Sequence, residues 1–298
     1  MTTFTSRFLE RRDLVSFLSG QLLGFALDEF FDGAYLGAFD SDGSPAGFIY
    51  AGHPRSDGEI LIGVPHPAHG RTSSPELDAF LVAEATRNAS SKSSLVVAAV
   101  YSDQTKEERI ALQEIYRNLG FRYCRDSTIL TRTLEDLPDP PELFSESIDE
   151  AGDDLFVSVA SACARGTGWG EVDFAGYIPA WRRSAKFDPE LFRLARMGGQ
   201  PAGVLLARVD KLDPREGAFY FLGIMPHVRG RGIGRALLLK GLHLLRERGV
   251  VRTRQTIPSG EGPSLRLLEN AGYQMVEWAR FFQLEAPGAS HGSPIPGR

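Results

Sequence analysis

The chain repeats itself, and that repeat limits its fold more than any other feature of its 298 residues. Pro45-Ala46-Gly47-Phe48-Ile49 returns as Pro201-Ala202-Gly203-Val204-Leu205, 156 residues later, and Asn118-Leu119-Gly120-Phe121 returns as Asn270-Ala271-Gly272-Tyr273 after 152. Between these, Ile62-Gly63-Val64-Pro65-His66 resembles Gly223-Ile224-Met225-Pro226-His227, with Pro65 set on Pro226. Offsets that drift by a few residues are what loop insertions leave between duplicated halves. The stretch Leu137-Pro138-Asp139-Pro140-Pro141-Glu142 removes backbone donors at three points and reads as the linker. The expected division is therefore a first domain over 1–136, a linker over 137–142, a second domain over 143–286 and a disordered tail over 287–298, rich in Gly, Ser and Pro.

Each half shows the same order of elements. In the first, apolar spacing predicts a helix over 12–23, strands over 34–39 and 46–51 around the turn Asp40–Ser44, and a third strand over 59–64. A helix over 75–89 capped near Ser73 or Ser74, a strand over 94–101, a helix over 106–119 ended by Gly120 and a strand over 123–133 follow. This is an α/β or layered α+β pattern, two tandem domains each built on a mixed central sheet flanked by helices.

Composition narrows the class. Apolar residues make up 42% of the chain, ample for globular cores, and no apolar run approaches the ~20 residues of a membrane helix. The N-terminus lacks the layout of a signal peptide, so a cytoplasmic protein with no membrane partner is expected. Cys124 and Cys163 have no neighbour at metal or redox spacing, and His66 and His69 have no third ligand in reach, so no metal is expected. The net charge of −5 argues against nucleic acid. That charge is uneven: residues 1–140 carry 13 Lys/Arg against 20 Asp/Glu, and the remainder 20 against 18.

The basic surplus lies in the half that holds Arg229-Gly230-Arg231-Gly232-Ile233-Gly234-Arg235, between an apolar run over 218–224 and a helical pattern over 236–248. Alternate glycines let a backbone turn tightly and bring N–H groups to an anion, and the helix that follows adds unpaired donors and its dipole. Arg229, Arg231 and Arg235 supply counter-charge, so the stretch reads as a phosphate site. It is neither a Walker loop, which ends in Gly-Lys-Ser/Thr, nor a dinucleotide fingerprint, where glycine would replace Arg235.

Arg229-x-x-Gly232-x-Gly234 after Tyr220-Phe221-Leu222-Gly223-Ile224-Met225-Pro226, with Leu267-Leu268-Glu269-Asn270-Ala271-Gly272-Tyr273 downstream, resembles the acyl-CoA site of the GNAT superfamily of N-acetyltransferases. The stretch 187–203 resembles tandem-domain members, the group that includes mycothiol synthase. The resemblance implies acetyl-CoA as co-substrate, held by Arg229, Gly230, Arg231, Gly232, Ile233, Gly234 and Arg235 and by the strand residues Leu222, Gly223 and Ile224. Gly223, a glycine inside a strand, is expected to form a bulge whose N–H polarises the thioester carbonyl. The first half reads Ala68-His69-Gly70-Arg71-Thr72-Ser73 opposite the loop and should bind no coenzyme A.

The resemblance also marks a departure. Many members carry a tyrosine four residues before the closing Gly-aromatic pair; the second half has Leu268 there, while the first half has Tyr116, read as a core aromatic. Candidate catalytic residues are then Glu216, directly or through a water it holds, as base, and Tyr220, or else water, as acid; both residues lie on one face of their strand with Leu222 by alternation. Trp169 and Glu171 are candidates for the acceptor pocket, and Glu171 and Asp173 in the same segment are a second source of the base. The expected reaction is acetyl transfer to a small-molecule amine by direct attack in a ternary complex. The alternative is a coenzyme A-binding sensor or scaffold without catalysis.

Overall fold

The computed structural model describes residues 3–17, 35–52, 59–165, 167, 172–183, 187–210, 213–260 and 262–285. Its contacts divide the chain into two compact units, Met1–Ser127 with Glu277–Arg298, and Thr128–Val276. The expected boundary at 137–142 is therefore displaced. Those residues are irregular in conformation but lie inside the second unit. The chain passes between units within two strands, at Ser127 and at Val276.

In the first unit, β1 (Thr5–Phe8), β2 (Tyr35–Phe39), β3 (Pro45–Tyr50) and the short β5 (His66–Pro67) form an antiparallel sheet in the order β1-β2-β3-β5. The third strand ends early. β4 covers Glu59–Leu61, and the chain bends before β5. β4 runs parallel to β6 (Leu95–Tyr101), pairing Glu59↔Leu95, Ile60↔Val96 and Leu61↔Val97, and Ile62 N–H still bonds the Val97 carbonyl at 2.8 Å. Of the helix expected over 12–23, residues 12–17 fall among the described ones, as the end of a 3-10 turn (Arg11–Asp13) and α1 (Leu14–Phe17).

Two helices pack on this unit. In α2 (Pro75–Ser90) the Ser74 side chain accepts from Leu77 N–H, and Leu77, Leu81, Val82, Ala85 and Ala89 turn one stripe into the core. α3 (Lys106–Asn118) starts on a capping box, Thr105 with Glu108, and buries Leu112 and Tyr116. The tyrosine is fully buried, its hydroxyl donates to the Ala99 carbonyl at 3.1 Å, and burial raises its pKa. It is the core aromatic that its sequence context predicts.

The last strand of the core comes from the far end of the chain. β13 (Gln274–Glu285) runs antiparallel to β6 from Ala279↔Tyr101 to Glu285↔Leu95, and the Phe282 ring stands 5.6 Å from the Tyr116 ring. Local sequence carries no sign of this, because a strand's pattern states which face is apolar and not which edge it joins.

The second unit orders its strands β7-β12-β11-β10-β9-β8, where β7 is Arg122–Thr133, β8 Ser145–Ser147, β9 Phe192–Met197, β10 Gln200–Val209, β11 Glu216–Ile224 and β12 Arg252–Pro258. After β8 come α4 (Ile148–Ala151), α5 (Asp153–Ala164) and α6 (Phe174–Arg182); α7 (Ile233–Glu247) and α8 (Gly262–Asn270) follow β11 and β12. α7 is apolar along Leu237, Leu238, Leu242 and Leu245, all buried. It lies close on the sheet at Gly241, where a Cβ would stand 2.3 Å from Leu205 and 2.8 Å from Phe219. No described helix is long and apolar enough to cross a membrane.

Phe282→Ala, which truncates the one ring that β13 sets against Tyr116, is expected to destabilise the first unit by about 3–5 kcal/mol. Hydrogen exchange at the Val96–Val100 amides should speed up accordingly; unchanged protection there would show that β13 is not part of that core.

Candidate functional site

The glycine-rich loop is built as an anion cradle. Between β11 and α7 the chain makes one 3-10 turn at Pro226–Val228, then passes through Gly230 (φ +76°) and Gly232 (φ +80°), a left-handed conformation that other residues adopt only under strain. Gly232 is the N-cap of α7 and supplies no side chain to it; no acid stands in the first turn. The first i→i−4 bond is Ala236 N–H to the Gly232 carbonyl, so the N–H groups of Ile233, Gly234 and Arg235 have no acceptor within the helix. Ile233, buried with Val228 and Leu237, anchors this turn from below. Arg231 and Arg235 are exposed and form no ion pair among the described residues. These are the features a pyrophosphate needs, and they fit one.

Two loop residues serve other ends than expected. Arg229 donates to the Ile224 carbonyl (3.0 Å) and to the Cys163 carbonyl (3.1 Å), so it ties the end of β11 to the last turn of α5. Gly234 has an ordinary helical backbone and room for a Cβ, 3.5 Å from Ile224; its glycine matters only to a ligand that comes close.

In the first unit the same turn is self-sufficient. Ser74 caps α2, Ser73 hydrogen-bonds Asp78, and Glu76 and Asp78 occupy the first turn. The caps align Ser74 with Gly232, which corrects the register set on Pro65 and Pro226: Thr72, Ser74 and Glu76 stand where Gly230, Gly232 and Gly234 do. An acid at the third position repels an anion.

Beside the cradle, β11 and β12 part. Their parallel ladder holds at Glu216↔Arg252 and Gly217↔Thr253 and ends there. A cavity of about 380 Å³ opens beyond, walled by β11, β12 and α8. Against β10, the bond from Met225 N–H to the Ala202 carbonyl sets the phase of the antiparallel ladder. Gly223 then bonds to Val204, and the N–H groups of Leu222 and Ile224 point to the open side.

The bulge lies elsewhere than predicted. Gly223 is in register; the extra residue is Tyr220, between Leu206↔Phe221 and Ala207↔Phe219. Gly223 is glycine for packing, since a Cβ would stand 2.5 Å from the Phe221 ring and 2.6 Å from Cys163 Cβ. The bulge also reverses the alternation of faces. Gly217 and Phe219 face α7, but so do Leu222 and Ile224, while Tyr220, Phe221 and Gly223 face the side of α5 and α6. Leu222 is therefore not on the face of Tyr220, as strict alternation required.

Tyr220 is the most exposed aromatic of that face, at 36%. It stacks on Trp181 (centroids 4.9 Å apart), which stacks on Tyr177 (5.4 Å), and the Arg208 guanidinium lies 4.7 Å from its ring centroid. Glu216 also lines the cavity, at its closed end, ion-paired with Arg252. Asp173 is engaged as the cap of α6, accepting from Gly176 N–H at 3.0 Å. Trp169 and Glu171 lie outside the described residues.

Leu268 lines the cavity, so the usual acid position is apolar where it meets the slot. Below it Thr253 donates to the Tyr273 hydroxyl at 2.7 Å in a buried pair, and burial raises the pKa of Tyr273. Sequence reasoning missed Arg208, Asp210, Arg254 and Gln255, which complete the walls. Arg208 and Asp210 were within reach, since alternation in a strand antiparallel to β11 puts both on the face of Glu216. The Arg208 Nε and the Gln255 amide nitrogen are buried without a hydrogen-bond partner, which costs about 1–3 kcal/mol each in a site that stays dry.

Residues 162–273 match the model of the acetyltransferase (GNAT) family. The chain is 38% identical to a mycothiol acetyltransferase of Thermomonospora curvata over 87 residues, 29% of each protein, so this match spans about three tenths of the relative's length. It is 26% identical to a mycothiol acetyltransferase of Rhodococcus jostii over 243 residues, 74% of this chain and 78% of the relative. In three dimensions it is similar to a tandem GNAT protein from the clavulanic acid biosynthesis pathway, with a TM-score of 0.65 and 15% identity over 97% of this chain and 100% of the other. Family match and full-length likeness agree with a duplicated chain: residues 162–273 carry the match to the acetyltransferase (GNAT) family, and over its full length the chain is similar in fold to a tandem GNAT protein.

Proposed function

We propose that the chain is an acetyl-CoA-dependent N-acetyltransferase that acetylates a small-molecule amine by direct attack in a ternary complex. The observation that carries this reading is the slot between β11 and β12 opening beside a helix start without a side-chain cap, a combination the described part of the first unit lacks. The cradle of Gly230, Gly232 and the first turn of α7 holds the pyrophosphate. Arg231 and Arg235 add charge, and the N–H groups of Leu222 and Ile224 meet the acyl arm along β11. Acetyl-CoA supplies an activated acyl group as a thioester.

The chain's own residues then divide the work. Tyr220, two residues from Leu222 on the same strand and part of the cavity lining, supplies the proton to the departing sulfur. Glu216 lies four residues further back, about 13 Å at strand spacing, and takes the amine's proton through water. Its pairing with Arg252 holds the carboxylate in place at the closed end of the slot. Leu268 keeps the thioester end apolar.

Tyr220→Phe should lower kcat about 100-fold, the scale of a lost general acid, with acetyl-CoA affinity unchanged. Glu216→Gln should reduce kcat/KM and leave that affinity equally intact. A released-thiol assay across a panel of amines reads both; full turnover in each variant would remove these residues from the mechanism, and thiol release with no amine would favour a coenzyme A sensor.

One acetyl-CoA should bind per chain. In titration calorimetry, Gly232→Val with Gly234→Val should abolish binding while circular dichroism stays native, and Arg71→Ala or Ser74→Ala should leave it unchanged. A stoichiometry near two, or binding that survives the double replacement, would overturn the assignment to the second unit.

A further inference from the structure

Resting on the acetyl-transfer reading above, we propose that the acceptor is an amine with a carboxylate close to the reacting nitrogen, an amino acid or a short peptide-like acid, and that Arg208 reads this carboxylate. Arg208 stands on β10 opposite Ala218 and lines the cavity. Its guanidinium is held over Tyr220, which is backed in turn by Trp181 and Tyr177. That stack restrains the head group; Nε is buried against the protein, while the side chain as a whole keeps 37% of its surface exposed.

The N–H donors of Arg208 are unspent. Its ion pair with Asp210, at 3.8 Å, is too long for a hydrogen bond, and among the described residues no guanidinium N–H of Arg208 makes a hydrogen bond. Arg252, on β12, differs: its charge is committed to Glu216. A planar fork of free donors is matched by the two oxygens of a carboxylate. Asp210 and Glu216 on the same face, one on each side of the β10–β11 hairpin, repel further negative charge, which disfavours a phosphorylated acceptor. Because Arg208 lies over Tyr220, two residues from the N–H of Leu222, the anionic group it holds sits beside the amine and not at the far end of a long acceptor.

The test compares acceptors in matched pairs, alanine, leucine and glutamate each as free acid and as α-carboxamide, with kcat/KM referred to the unprotonated amine. The wild type is expected to prefer acids at least ~20-fold, the scale of one charge-assisted bond. Arg208→Gln should erase this preference by lowering kcat/KM for acids only, Arg208→Lys should restore part of it, and acetyl-CoA affinity should stay constant throughout. Equal use of acid and amide by the wild type, or an equal loss on both in Arg208→Gln, would overturn the proposal. If no amine gives thiol release, the transferase reading falls by itself, and calorimetry with N-acetylalanine and its amide in the presence of coenzyme A decides this one. Acid-selective binding lost in Arg208→Gln upholds it, and binding indifferent to Arg208 overturns it.

Discussion

Everything specific to this molecule depends on how far two parallel strands stay paired. In the first unit β4 and β6 zip through Leu61↔Val97 and on to the bond from Ile62 to Val97. In the second the equivalent ladder stops one rung earlier, at Gly217↔Thr253. The registers correspond residue for residue: Glu59 opposite Leu95 takes the place of Glu216 opposite Arg252. One lost rung is enough, because strands that part leave a line of N–H and C=O groups facing a gap, and a peptide-like arm can pair with them as another strand would. A ladder one rung longer offers fewer such groups.

Side chains from the following helix decide whether the gap can close. Tyr116 reaches across the first unit to the Ala99 carbonyl and fills the space under β6 with a ring. Its counterpart Leu268 is smaller and stands in the wall of the cavity. The tyrosine that resembles a family acid thus works as core filling in the first unit, and the smaller Leu268 stands at the cavity in the other. Function and filling exchange places between the halves.

Much of this is legible in sequence. The repeat, the alternation of strands and helices, and the glycines at 230 and 232 follow from local rules, because turns and caps are set by adjacent residues. The rest depends on pairing over distance. That the last strand enters the first unit cannot be read from Gln274–Glu285 itself, nor can the extra residue at Tyr220, since a bulge is defined by the partner strand it fails to match. A bulge placed at Gly223 puts Leu222 on the wrong face and hides the packing of Gly223 on Cys163. Arg229 is a related case: a basic residue in a glycine loop suggests an anion, but a helix C-terminus nearby offers carbonyls that want the same donor.

The two units also differ in where they leave polar groups unsatisfied. In the first, the start of α2 is closed by Ser74 with acids behind it, and Arg71 is paired with Asp40. In the second, the start of α7 has neither a side-chain cap nor an acid, Arg231 and Arg235 are unpaired among the described residues, and Arg208 Nε and the Gln255 amide nitrogen are buried without partners. Each such group is a local loss that a single side chain could repair, as Ser74 does in the other half. Of these, Arg208 and Gln255 line the slot, in a unit whose core is otherwise filled by Val204, Leu206, Leu238 and Leu239; on the acetyl-transfer proposal they and the open helix start are donors held in place for an anionic ligand. A stable scaffold is what permits it: groups fixed by packing before the ligand arrives need not be ordered by it, so their unmet bonds are recovered as affinity.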